Sequence, residues 1–61
     1  MEPPTVREII RRLEREGFQC VRVVGDHRRY VKGSRKVTVA GKLSEHPRPK
    51  TWASIKSQAG W

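Results

Sequence analysis

Cysteine is nearly absent from this chain, which carries Cys20 and no other. One thiol cannot close an internal disulfide, which excludes the stapled mini-proteins of secreted fluids. Histidine is almost as scarce, with only His27 and His46. One thiol and two imidazoles at this spacing cannot build a structural zinc site. No apolar run approaches the ~18 residues of a membrane span. The opening MEPPTVREII has neither the basic region nor the uninterrupted apolar stretch of a signal peptide, so a cytoplasmic location is expected. The acidic residues are scattered among arginines, so no carboxylate pair offers itself for acid–base work. No glycine-rich phosphate loop follows a strand and opens a helix. A Ser–His–acid triad would lack its enclosed pocket and oxyanion hole. Repeats and low-complexity tracts are missing too, and neither a metal nor another cofactor is expected.

What is present is positive charge. Fourteen Lys and Arg stand against six Asp and Glu, a formal net charge of +8 on 61 residues. A field of that sign favours polyanions, of which nucleic acid is the commonest. The length allows a single domain, residues 1–61, since so short a chain buries only about 60% of its unfolded surface. A core that small leaves no room for an enclosed substrate cavity, so any site is an open surface suited to a long partner.

Element by element, TVREIIRRLEREG reads as a helix. Thr5 and Glu8 fit a capping box. Val6, Ile9, Ile10 and Leu13 form one apolar stripe, and Gly17 is placed to close it. Arg7, Arg11 and Arg15 line the opposite, solvated face, and Glu8 is spaced to pair with Arg12. FQCVRVV, HRRYVK and KVTVA then read as three strands, separated by turns at Gly25-Asp26 and Gly33-Ser34. Such short connections make an antiparallel meander. KLSEHPRPK is a polar loop in which His46 has no evident partner. TWASIKSQAGW is a closing helix with Thr51 as N-cap, an apolar stripe of Trp52, Ile55 and Ala59, and Gly60 as its end. The predicted fold class is α+β, in the order α-β-β-β-α, with two helices on one face of a three-stranded antiparallel sheet.

Strand alternation locates the scarce histidine. Tyr30 and His27 are three residues apart on one strand and must face opposite sides of the sheet. If Tyr30 enters the core with Val37 and Val39, then His27 and Arg29 point outward, joined by Lys36 and Thr38. The open face is then basic and carries one imidazole. RNA cleavage suits such a face without a metal, because the ribose 2′-OH is a built-in nucleophile. An imidazole, with its ordinary pKa of ~6.5, can take or give the proton. Arg28, Arg29 and Lys36 are candidates to hold phosphate. On these residues alone, plain RNA binding through shape and phosphate contacts is the rival reading.

The chain as a whole also resembles a known family. VREIIRRLEREGF, GDHRRY and KVTVAGKLSEHPRPKTWASIKSQAGW, in this order over residues 5 to 61, are similar to the HicA toxins, messenger-RNA interferases of type II toxin–antitoxin pairs. The matching positions are Gly17-Phe18, Gly25-Asp26-His27 with Tyr30, Val37-Thr38-Val39, and Gln58-Ala59-Gly60. Asp26 stands where many members have Ser, and Trp52 and Lys56 stand where leucine is common. The resemblance implies a fold like that of a double-stranded-RNA-binding domain, His27 as the catalytic residue, mRNA as substrate and a HicB-type antitoxin as protein partner.

Overall fold

The computed structural model describes residues 2–61; Met1, the first residue of the stretch read for a signal peptide, lies outside them. The elements run α1 (Val6–Arg15), β1 (Gln19–Val24), β2 (His27–Lys32), β3 (Arg35–Ala40) and α2 (Pro49–Ala59). This is the expected α-β-β-β-α order, with an antiparallel sheet ordered β1-β2-β3.

Every free N–H of the first turn of α1 has a partner, which is why the helix begins where it does. The Glu8 N–H donates to Thr5 Oγ1 at 3.2 Å, and the Thr5 N–H donates back to Glu8 Oε1 at 2.9 Å. The predicted capping box is therefore formed. These bonds from Thr5, backbone first, hold the Glu8 carboxyl below its ordinary value. The Val6 and Arg7 N–H groups reach the carbonyls of Glu45 and Leu43 at 2.9 and 3.0 Å. The loop after β3 thus closes the start of the helix. Glu8 is consumed by this cap, so the anticipated pairing with Arg12 does not form. Arg12 Nε instead donates to Glu16 Oε2 at 3.2 Å.

At the other end Gly17 adopts a φ of 94°. The Phe18 and Gly17 N–H groups donate to the carbonyls of Leu13 and Glu14, the paired bonds of a Schellman motif. Phe18 is thereby turned into the core and β1 begins one residue later than expected, at Gln19. Each hairpin turn has two residues with the left-handed φ at the first, 59° at both Gly25 and Gly33. Neither Asp26 nor Ser34 has a positive φ. That is the type II′ pattern, whose twist matches paired strands.

One apolar cluster joins the layers: Val6, Ile9 and Leu13 of α1, Ile55 and Ala59 of α2, Tyr30, Val37 and Val39 of the sheet, and Phe18. Both helices therefore lie on one face, over β2 and β3. The whole of β1 stays exposed.

Two local expectations are corrected. Helix α2 starts at Pro49 with Arg48 as N-cap and no capping side chain, so Thr51 lies inside the helix. The ring of Pro49 presets the helical φ and lacks the N–H that a first-turn residue leaves unpaired, so the helix can start there. His46 is not without partners: its Nδ1 lies 2.7 Å from the Pro3 carbonyl and its Nε2 3.6 Å from Glu2 Oε2. It ties the chain start to the loop. At the far end, Gly60 closes α2 with a φ of 80°. Trp61 folds back so that its Nε1–H donates to Glu16 Oε1 at 2.8 Å. The Arg12 guanidinium lies 3.9 Å over its ring. The indole bond is the chief reason the Glu16 carboxyl sits below its ordinary value, with Arg12 adding to it.

Candidate functional site

The face away from the helices is built by cross-strand pairs. His27 sits between Val24 of β1 and Ala40 of β3, Arg29 between Arg22 and Thr38, and Val31 between Gln19 and Lys36. Directly opposed side chains share a face of the sheet. His27, Arg29, Thr38 and Lys36 thus stand on the open side, as alternation required, while Tyr30 is 3% exposed on the other.

Arg22 is the addition that the sequence reading missed. Alternation carried forward from the buried Phe18 points Arg22 toward the helices. The ladder slips by one residue between Cys20 and Arg22, however. This β-bulge sets two residues of β1 against one of β2 and turns Arg22 onto the open face. The signal was present: pairs counted outward from the two-residue turn at Gly25-Asp26 set Val24 against His27 and Arg22 against Arg29.

Arg22, Val24, His27, Arg28, Arg29 and Thr38 line an open groove of about 310 Å³. Arg28 borders it, but pairing with the buried Val39 sets its side chain on the helix side. There its Nη1 donates to the Gly41 carbonyl at 3.4 Å. Lys36 lies at the other end of the open face. It pairs with Val31, four residues along β2 from His27, roughly 13 Å at the strand rise. The structure therefore brings His27 and Arg29 together with Arg22, and leaves Arg28 and Lys36 outside that cluster.

One acidic side chain lies close to His27. Its Nδ1 lies 3.1 Å from Asp26 Oδ1, with the two side chains 66% and 55% exposed. An ionised carboxylate only accepts hydrogen bonds. In the neutral ring this neighbour favours the tautomer with the proton on Nδ1, which leaves Nε2 as the acceptor. A second depression of about 380 Å³, lined by Glu16, Phe18, Lys32 and Arg35 among others, offers no such group. Its one acid, Glu16, is engaged by Trp61 and Arg12. Among the described residues no cluster of three His, Cys, Asp or Glu could hold a metal ion. No helix among them is long and apolar enough to cross a membrane.

Fold and groove together define a small basic α+β protein that presents a histidine and arginines on an uncovered sheet. The family model for the HicA toxin of bacterial toxin–antitoxin matches residues 6–61, and the chain belongs to the HicA toxin family. No curated protein and no solved structure gives a significant match.

Proposed function

We propose that this toxin is a metal-independent endoribonuclease that cleaves mRNA, with His27 moving the proton and a HicB-type antitoxin restraining it. The observation that supports the reading is the exposed imidazole of His27, with Asp26 3.1 Å away, in one open groove with two arginines. Nε2 accepts the proton of a ribose 2′-OH. The 2′-oxygen then bonds to phosphorus as the bond to the 5′-oxygen breaks, leaving a cyclic phosphate and a 5′-hydroxyl that takes its proton from solvent. Arg22 and Arg29 stabilise the charge that grows on the phosphate oxygens. Lys36 would hold another phosphate further along an extended strand. Arg28 has a smaller part, because its guanidinium is tied to Gly41. Purified protein incubated with RNA, with and without EDTA, tests the assignment. Cleavage unaffected by the chelator is expected; intact RNA would leave a binding module without catalysis.

Asp26 acts as a positioning residue in this scheme. A charge pair between side chains this exposed contributes roughly 0–1 kcal/mol. Asp26→Asn should therefore lower kcat by up to about fivefold, since about 1.4 kcal/mol is one decade, and leave KM unchanged. Nitrogen-15 shifts of the imidazole should show a mixture of tautomers where the wild type shows one. An unchanged tautomer and an unchanged kcat would remove Asp26 from the mechanism.

Binding should weaken with salt, because Lys and Arg release counterions from phosphate. Three outward cations, Arg22, Arg29 and Lys36, imply a logarithmic slope of about −2 for single-stranded RNA. Titrations of a fluorescent oligonucleotide across salt concentrations measure it, and a flat dependence would exclude phosphate contacts from this face.

A further inference from the structure

The two edges of the sheet are finished differently. On β3 the outward N–H of Thr38 donates to Gln58 Oε1 of α2 at 3.0 Å, and Arg35 Nη1 reaches the Gln58 carbonyl at 3.4 Å. That edge is blunted by the helix beside it. On β1 no residue is buried, and Val21, Val23 and Val24 are 58%, 57% and 56% exposed. An uncovered edge with β-branched side chains is a template for another strand.

The ladder shows which backbone groups are free. A two-residue hairpin closes on a hydrogen-bonded pair, here Val24 and His27. Val23, next along β1, must then turn its own N–H and C=O away from β2. Its side chain shares the helix-side face with Arg28, and that of Val24 shares the open face with His27. A helix laid on either face would cover only one of these valines, whereas a strand added beside β1 meets both. Repulsion between two chains of charge +8 opposes self-pairing, and valines offer nothing to a phosphate. The groove beside the edge, with Arg22 and Arg29, complements acidic side chains.

We infer that the antitoxin of the pair docks by adding a strand to β1, with acidic side chains on its open face reaching Arg22. Main-chain bonds supply the affinity and the flanking side chains the specificity, as in other strand-addition complexes. The added strand would lie two strand spacings, about 10 Å, from β2, close enough for its side chains to close the groove beside His27. The inference rests on the toxin–antitoxin family and not on any catalytic role for His27.

Amide hydrogen exchange of the labelled toxin, alone and with the antitoxin encoded by the adjoining reading frame, tests it. The Val23 amide should exchange at least a hundredfold more slowly in the complex. Val21→Glu and Val23→Glu should each weaken the antitoxin Kd by about a hundredfold and leave the melting temperature and RNA affinity as they were. An unprotected Val23 amide overturns the inference even if a variant misfolds. Equal protection from concentrated toxin alone would make a second copy the occupant, and equal protection from an RNA oligonucleotide would make it RNA; either result overturns it. Exchange and affinity are independent of cleavage, so the outcome stands whether or not the ribonuclease assignment does.

Discussion

His27→Ala should yield a folded, RNA-binding and inert protein. The His27 side chain is two-thirds exposed, and a surface change of that kind typically moves stability by less than about 0.5 kcal/mol. Arg22, Arg29 and Lys36 remain, so RNA affinity changes little. Cleavage should fall by the ~10²–10⁴-fold that general acid–base catalysis contributes, and growth arrest on expression should disappear with it. Thermal melting, a binding titration and a cleavage time course on one preparation separate the alternatives. Cleavage at the wild-type rate would show that the proton is moved by another group. Loss of the fold would show that His27 does not face outward.

Tyr30→Ala should do the reverse. Tyr30 is buried among residues of the common core, and burial raises its phenol above the ordinary value. Truncating a buried aromatic costs roughly 3–5 kcal/mol, through lost transfer energy and the cavity left behind. Domains of this kind have only about 5–15 kcal/mol in total, and a chain this small lies near the bottom of that range. The variant should therefore be largely unfolded at growth temperature, with cleavage lost because the sheet is lost. Tyr30→Phe is the control: it keeps the ring, and melting and activity should stay close to wild type. A Tyr30→Ala protein that melts normally would contradict the packing described above.

The parts of this molecule legible in the sequence are those governed by short-range rules. The capping box and the Gly17 terminus are local hydrogen-bond motifs, so Thr5, Glu8 and Gly17 announce α1 without knowledge of anything else. The opposite facing of His27 and Tyr30 follows from the pleat alone. Much of what was missed depends on partners distant in the chain. Arg22 is the exception: pairs counted back from the Gly25-Asp26 turn set it against Arg29, although alternation from Phe18 points it the other way. The carbonyls that cap α1 come from a loop more than thirty residues later, and His46 finds Pro3 only after folding. Arg28 is an instructive case, because alternation from Tyr30 already set it on the helix side. Its charge alone made it a phosphate candidate. The catalytic role of His27 is a proposal that the experiments above decide.

Because Val21, Val23 and Val24 are more than half exposed, these positions of β1 can change with little consequence for the core. None of Val21, Val23 and Val24 belongs to the buried cluster that contains Ile9, Leu13 and Ile55. Related toxins could therefore drift apart along this one strand while their cores stay the same. Several pairs could then coexist in one cell, each toxin answering only to its own antitoxin.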